Sequence, residues 1–140
     1  MIVLGLSCWY HDSAACLLKN GEIIAAAQEE RFTRKKHDER FPDNAIKYCL
    51  DAARISTSEI DKIVFYEKPL LKFERLLETY FAYAPRGFSS FSKSMPLWLK
   101  EKLFQKQNLI KHLKDCLGKD VDWSLRLQFS AHHLSHAASA

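Results

Sequence analysis

Residues 13–28, SAACLLKNGEIIAAAQ, decide the fold because they hold two apolar runs joined by Asn20-Gly21. Asn and Gly both tolerate the positive φ of a tight two-residue turn, so this dipeptide between apolar runs is a strong hairpin signal. It predicts strands over Ser13 to Lys19 and Glu22 to Gln28. The apolar run Ile2 to Ser7, which is partly β-branched, precedes them across a short connection. Three strands joined in this way predict an antiparallel meander.

Downstream of the meander, helical patterns alternate with short apolar runs. After Pro42, apolar residues recur up to Ala53 at the spacing of one helical face. Further helices are predicted over Leu70 to Tyr83, from Pro96 towards Cys116, and from His132 to Ala140. Gly118 is expected to end the second of these helices. A loop is predicted over Ala84 to Ser94, and strands are predicted at Ile63 to Tyr66 and Leu125 to Phe129.

The order β-β-β-α-β-α-α-β-α predicts an α/β fold with a mixed sheet and flanking helices. It is typical of the ribonuclease-H-like half of actin-like (ASKHA) folds. We expect the two later strands to extend the meander sheet in parallel, because each follows a helix long enough for a crossover.

The composition is that of a globular domain, and it excludes several function classes. The chain has 140 residues, of which 47% are hydrophobic and 27% are charged, an ordinary balance. Its four glycines are scattered, which excludes the Walker P-loop and the GxGxxG turn, because each needs several glycines in one loop. The net charge of +4 comes from Lys and Arg spread along the chain, so nucleic acid is not expected as a partner.

The cysteines and the first residues predict a cytoplasmic protein. The four cysteines are widely separated and form no CxxC pair, as expected of reduced thiols. The apolar start is too short for an export signal, and no apolar run approaches the ~20 residues of a membrane helix, so no membrane partner is expected. Because the sequence stops inside a predicted helix, we expect residues 1–140 to be one truncated domain of a longer protein.

Three histidines follow the last predicted strand, in residues 131–136, AHHLSH. His132 and His136 are four residues apart, so on a helix both imidazoles project from one face about 5–6 Å apart. Two imidazoles at this spacing commonly begin a divalent metal site. His133 stands where the HExxH zinc proteases carry their Glu base, which argues against that class. The alternative is that all three are ordinary surface or core histidines.

A second candidate is the turn between the first two strands, which carries His11, Asp12 and Ser13. In actin-type folds this turn presents backbone N–H groups and short polar side chains to phosphate. An Asp beside a His can also fix the imidazole tautomer and raise its basicity. The alternative is an Asp-Ser turn without chemistry.

A third candidate is the charged run at residues 29–38, EERFTRKKHD. Arg31 and Arg34 could make bidentate contacts to phosphate, and Lys36 could supply a point charge, so the run could grip an anion. The alternative is a solvated edge or loop.

Together these segments resemble a known family. Residues 7–42, SCWYHDSAACLLKNGEIIAAAQEERFTRKKHDERFP, followed by residues 130–140, SAHHLSHAASA, resemble the N-terminal domain of the nodulation-protein and antibiotic O-carbamoyltransferases. These enzymes are related to the tRNA threonylcarbamoyltransferases. Residues 66 to 125 carry no motif that adds to the resemblance.

The resemblance implies an actin-like domain that transfers a carbamoyl group to a hydroxyl of a small-molecule acceptor. Carbamoyl phosphate and ATP, with Mg²⁺, would yield a carbamoyladenylate in a C-terminal domain that lies beyond Ala140, as would the remaining metal ligands. His132 and His136 would bind iron(II) or another divalent ion. The resemblance further implies that His11 and Lys36 are catalytic. It implies that four residues bind substrate, namely Asp12, Ser13, Arg31 and Arg34.

Two alternatives stay open beside this reading. One is a tRNA threonylcarbamoyltransferase-like enzyme, which shares HxxxH; the other is a non-catalytic domain that binds metal or nucleic acid. In the leading reading we expect the turn with His11 and the helix start at His132 to face one cleft at the strand ends.

Overall fold

A computed structural model describes residues 1–10, 12–67, 77–84, 86, 88–89, 91–93, 95–96, 104–131 and 134. Within these residues the chain forms a mixed α/β structure around one five-stranded sheet. The strands are β1 (Ile2–Ser7), β2 (Ala14–Lys19), β3 (Glu22–Gln28), β4 (Lys62–Phe65) and β5 (Leu127–Phe129). Their order across the sheet is β3-β2-β1-β4-β5.

The antiparallel meander predicted from the hairpin signal is confirmed. β1 pairs with β2 and β2 with β3, both antiparallel. Asn20 and Gly21 form the turn with φ of 54° and 91°, the left-handed values that a tight hairpin needs. The turn sets the first pairs, Lys19 with Glu22 and Leu18 with Ile23, and the register then shifts by one residue so that Leu17 pairs with Ala25.

The parallel extension of the sheet is also confirmed. β4 pairs with β1 and β5 with β4, both parallel. The prediction was wrong for the start of the last strand, because Leu125 lies in a short helix, α4 (Trp123–Arg126), that precedes β5. The Asp122 side chain caps this helix by accepting the Ser124 N–H at 3.0 Å, and the indole N–H of Trp123 donates to the Gly118 carbonyl at 2.8 Å.

The remaining helices include two long ones that cover one face of the sheet. They are α2 (Asp43–Ala53) and α3 (Gln105–Leu117); the short α1 (Glu30–Thr33) and a 3₁₀ turn (Thr57–Glu59) lie in connections. In α3 the fully or largely buried residues Leu109, Leu113 and Leu117 are four apart, which places them on one side of the helix. They join a core that includes Leu4 and Phe65 of the sheet.

Several predicted elements fall partly outside the described residues. Of the helix predicted over Leu70 to Tyr83, residues 77–83 are helical and the rest is outside. The loop predicted over Ala84 to Ser94 was wrong for residues 88–89 and 91–93, which are helical: its serines and Gly87 do not prevent short helical turns. α3 ends before Gly118, as predicted. Residues 97–103 of the helix predicted from Pro96, and most of the helix predicted from His132, lie outside the described residues. No helix among the described residues is long and apolar enough to cross a membrane.

Candidate functional site

The candidate site lies at one edge of the sheet, which the strand directions define. β1, β3, β4 and β5 run in the same direction and β2 runs against them. The carboxyl ends of four strands and the first residue of β2 therefore share this edge. The turn at residues 8–13 and the charged run at residues 29–38 both leave the sheet there. Ser130 and Ala131 follow β5 at the same edge, where the Ser130 N–H donates to the Phe65 carbonyl at 2.9 Å.

The turn and the charged run are held side by side by hydrogen bonds. The Trp9 N–H donates to the Glu39 carbonyl and the Ser13 N–H to the Asp38 carbonyl, both at 2.8 Å. The Ser13 hydroxyl donates to the Arg40 carbonyl. These bonds hold the turn against residues 38–40, at the end of the charged run, so the two candidate segments lie side by side.

Ser13 has a structural position within this site. Its side chain is buried, and its carbonyl accepts the Glu29 N–H at 2.8 Å in addition to the two bonds that its N–H and hydroxyl donate. Its hydroxyl proton is therefore already directed to the protein backbone.

Asp38 and Arg40 form a bidentate pair in the same segment. Arg40 Nε lies 2.9 Å from Asp38 Oδ1, and Arg40 Nη2 lies 2.7 Å from Asp38 Oδ2. Asp38 is fully buried, while Arg40 extends towards solvent. The hydrogen bond from the Arg40 guanidinium is the main cause that holds the pKa of the Asp38 carboxyl well below its usual range. The pair joins two residues of the segment that lies beside Ser13.

Glu29 supplies the missing cap of α2. Pro42 at the N-cap position offers no side-chain hydrogen bond. The Glu29 carboxylate instead accepts the Asn44 side-chain amide at 2.6 Å and the Ala45 N–H at 2.9 Å. Its side chain is only 2% exposed. A carboxylate at a helix N-terminus satisfies free N–H groups and complements the helix dipole, so Glu29 ties the charged run to α2.

Asp12 pairs with a histidine that sequence analysis did not select. Asp12 Oδ1 lies 2.8 Å from Nδ1 of His37, 25 residues further along the chain. The sequence neighbours of Asp12 gave no sign of this contact, since it depends on the two segments packing together.

The predicted cations of the charged run are exposed. Arg31 lies on α1 and makes one long contact, 3.9 Å, to Glu30. Arg34 is the left-handed C-cap of α1 with a φ of 59°, and Lys36 lies in the turn that follows. All three residues are exposed, so their charges are accessible to an anion.

Three predicted site residues, His11, His132 and His136, lie outside the described residues. Within the part of the chain that is described, no three His, Cys, Asp or Glu side chains converge in a way that could hold a metal ion. The prediction that His132 and His136 bind a metal, and that His11 faces them, therefore stays a prediction.

An aromatic cluster separates two cavities beside the paired segments. The His112 ring stacks on Phe41 with centroids 5.1 Å apart and lies 5.7 Å from the Trp9 ring. Trp9 and His112 border both cavities, of about 520 and 370 Å³. The larger is also lined by Glu29, Thr33, Glu39, Arg40, Phe41, Asp43 and Asn44, and the smaller by Cys8, Tyr10, Glu67, Gln105 and Asn108. Both are of a size that admits a small ligand.

Comparison with known proteins identifies the family. Residues 2–140 match the family described as Carbamoyltransferase N-terminus. The chain belongs to this family. The resemblance stated from residues 7–42 and 130–140 is thereby confirmed.

Two curated relatives cover nearly all of the chain. An uncharacterized protein of Synechocystis sp. is 60% identical over 99% of this chain, and the nodulation protein NolNO of Sinorhizobium fredii is 38% identical over 93% of it. These matches cover 22% and 17% of the respective relatives, so the chain spans about a fifth of the length of the proteins it matches.

The described cysteines of this carbamoyltransferase N-terminal domain do not have the character of nucleophiles. Burial raises the pKa of the Cys49 thiol to about 11 and that of the Cys116 thiol to about 12. Burial, with Asp43 nearby, raises the pKa of Cys8 still further, although Cys8 lines the smaller cavity. Because only the thiolate is nucleophilic, covalent catalysis by these thiols is disfavoured at neutral pH.

Proposed function

We propose that this chain is the N-terminal part of an O-carbamoyltransferase. In this proposal a carbamoyl group passes from carbamoyl phosphate, by way of carbamoyladenylate, to a hydroxyl of a small-molecule acceptor. The observation that carries it is the match of residues 2–140 to the carbamoyltransferase N-terminus family. The pairing of the turn with the charged run supports it, because two motifs of the resemblance meet at one edge of the sheet.

The fold supports the same proposal at a coarser level. The sheet joins an antiparallel meander to two parallel strands, an arrangement that supports the ribonuclease-H-like half of an actin-like fold expected from the sequence. In such a sheet, ligands bind beyond the carboxyl ends of the parallel strands. The exposed cations Arg31, Arg34 and Lys36 belong to the segment that follows β3 at that edge.

The roles proposed for these residues follow from charge and exposure. Arg31 and Arg34 would bind the phosphate of the carbamoyl donor, since guanidinium groups match phosphate oxygens. Lys36 would stabilise the negative charge that develops at the carbamoyl carbonyl. His11 would line the same site, and Asp12 would bind substrate through its carboxylate. Ser13 would hold the turn in place by its three hydrogen bonds to the backbone.

His132 and His136 are proposed as ligands of a divalent metal ion, with iron(II) as the leading candidate. When bound, such an ion would polarise a carbonyl or phosphoryl oxygen. Two imidazoles make up only part of a coordination shell, so further ligands would come from elsewhere in the longer protein. ATP and Mg²⁺ would act in the part that forms the adenylate.

The test is a transfer assay with the full-length protein. Carbamoyl phosphate, ATP, Mg²⁺ and a panel of hydroxyl acceptors are incubated with wild type, Lys36→Ala and Lys19→Ala. Lys19 is a matched control, because it is exposed at the opposite edge of the sheet beside the hairpin turn. We expect carbamate-ester products with wild type and Lys19→Ala, and a loss of about 10²-fold or more with Lys36→Ala, the magnitude found when one charge-stabilising donor is removed. Transfer to tRNA alone, or equal rates for all three proteins, would contradict the proposal.

The metal assignment has its own measurement. Calorimetric titration of the full-length protein with a divalent ion should show weaker binding in His132→Ala and in His136→Ala, and unchanged binding in His133→Ala. If only His133→Ala lost binding, the metal ligand would be His133 and the assignment to His132 and His136 would be wrong.

A further inference from the structure

The Asp12–His37 pair has the geometry of an oriented imidazole. Asp12 Oδ1 and His37 Nδ1 are 2.8 Å apart. An ionised carboxylate can only accept hydrogen bonds, so Nδ1 carries the proton in this contact. In the neutral ring the lone pair is then on Nε2, which makes no hydrogen bond to any described residue. The His37 side chain is 66% exposed, so a small molecule can reach it.

His37 is also held in an unusual backbone conformation. Five described residues other than glycine have a positive φ, namely Trp9, Asn20, Arg34, His37 and Arg54. Asn20 lies in the hairpin turn, and Arg34 and Arg54 are helix C-caps, where this conformation is common. His37 lies in the turn at residues 36–37 and Trp9 in a bend, and both belong to the paired segments. Strained residues of this kind concentrate at functional sites.

The surroundings of His37 restrict its movement. Its N–H donates to Glu30 Oε2 at 3.3 Å, and the next residue, Asp38, is bonded through its carbonyl to the Ser13 N–H. The ring and the backbone are therefore both tied to neighbouring segments. His37 directly follows Lys36, for which we proposed charge stabilisation at the carbamoyl group.

We propose that His37 is the general base that activates the acceptor hydroxyl, and that Asp12 is its positioning residue. This inference rests on the proposed function, for which it names the proton acceptor. The hydroxyl oxygen attacks the carbamoyl carbon and forms the new C–O bond. The bond from that carbon to the oxygen of the adenylate phosphate breaks, and AMP leaves with the electron pair. The hydroxyl proton passes to His37 Nε2 and then to solvent.

The test compares two reactions of the full-length enzyme. Carbamoyladenylate formation is measured by mass spectrometry without acceptor, and transfer is measured by adding acceptor. Wild type, His37→Ala, Asp12→Asn and the control Asp51→Asn are assayed; Asp51 is an exposed carboxylate of α2 outside the site. We expect His37→Ala to lose about 10²- to 10⁴-fold in the transfer rate, the usual contribution of a general base, and to keep adenylate formation. Added imidazole should restore part of that rate, whereas Asp12→Asn should lose about tenfold or more and Asp51→Asn nothing.

A second measurement does not depend on activity. In ¹⁵N-histidine spectra of the wild type, His37 should show the Nδ1–H tautomer, and Asp12→Asn should shift it towards Nε2–H. The proposal is overturned if wild type transfers and His37→Ala transfers equally well, if imidazole fails to rescue a folded His37→Ala, or if His37 is found as the Nε2–H tautomer. Absence of transfer by wild type with every hydroxyl acceptor would instead overturn the proposed function.

Discussion

Replacing Glu29 tests whether a buried carboxylate joins the charged run to α2. Glu29 accepts hydrogen bonds from the Asn44 side chain at 2.6 Å, the Asn44 N–H at 3.3 Å and the Ala45 N–H at 2.9 Å. In Glu29→Gln the side chain keeps its shape, but one oxygen becomes an NH₂ group that faces another donor. The substitution thus removes a negative charge from the helix N-terminus and leaves one buried donor without an acceptor.

The magnitude follows from these two losses. Loss of the charge at the helix end costs about 0.3–1 kcal/mol, and an unsatisfied buried polar group costs about 1–3 kcal/mol. Glu29 is only 2% exposed although it borders the larger cavity, so water can replace the lost partner only in part. We therefore expect Glu29→Gln to lower the free energy of unfolding by about 2 kcal/mol, and Glu29→Ala, which removes every acceptor, by about 3 kcal/mol.

Urea unfolding followed by circular dichroism measures this change, with Glu22→Gln as the matched control. Glu22 is exposed at the start of β3 and belongs to the same acidic residue type. The control should stay within about 0.5 kcal/mol of wild type, as surface substitutions usually do. If Glu29→Gln also stays within that range, with an unchanged slope in urea, Glu29 does not hold the charged run to α2 and the cap assignment is wrong.

Two further predictions follow from the pKa shifts. The pKa of Asp38 is lowered mainly by its hydrogen bond from Arg40. The contribution of the ionised carboxylate to stability is therefore complete above the ordinary pKa of 3.8 and is lost as the pH falls through the lowered pKa. Thermal melts below pH 4 should show that the stability of Asp38→Asn depends less on pH than that of the wild type. The raised pKa values of Cys49 and Cys116, about 11 and 12, keep both thiols protonated, so iodoacetamide at pH 8 should label them only after unfolding, as peptide mass spectrometry would show.

The sheet was predictable because its signals are local. Asn20-Gly21 selects a two-residue turn from its own φ preferences, and that turn sets the first pairs of β2 and β3; the one-residue shift in register after Leu18 gave no such local signal. The parallel placement of β4 follows from chain connectivity, since a strand reached through a helix returns in the same direction. The four-residue helix at Trp123–Arg126 was missed because so short an element shows no period, although Asp122 two residues before Ser124 is a capping signal.

The contacts inside the site could not be predicted in the same way. Asp12 and His37 are 25 residues apart. The Glu29 carboxylate binds Asn44 and Ala45, which follow it by 15 and 16 positions. Both contacts form only when the charged run packs against the turn after β1 and against α2. A pattern of charges along one segment holds no information about a partner in another segment, so the two segments were predictable as candidates but the residue pairs that join them were not.

The structure also divides the charged run into two parts with different tasks. The sequence of residues 29–38 is compatible with two interpretations, a solvated loop or a loop that binds an anion. The acidic residues Glu29 and Asp38 are buried and bound to protein donors, whereas the basic residues Arg31, Arg34, Lys35 and Lys36 are all exposed. A merely solvated loop would leave both signs in water, because burying a carboxylate is costly unless it is paired. Two of the three negative charges are thus bound to protein donors, Glu30 lies 3.9 Å from Arg31, and the basic side chains remain exposed at the carboxyl edge of the sheet; this excess of exposed positive charge favours an anionic ligand over plain solvent.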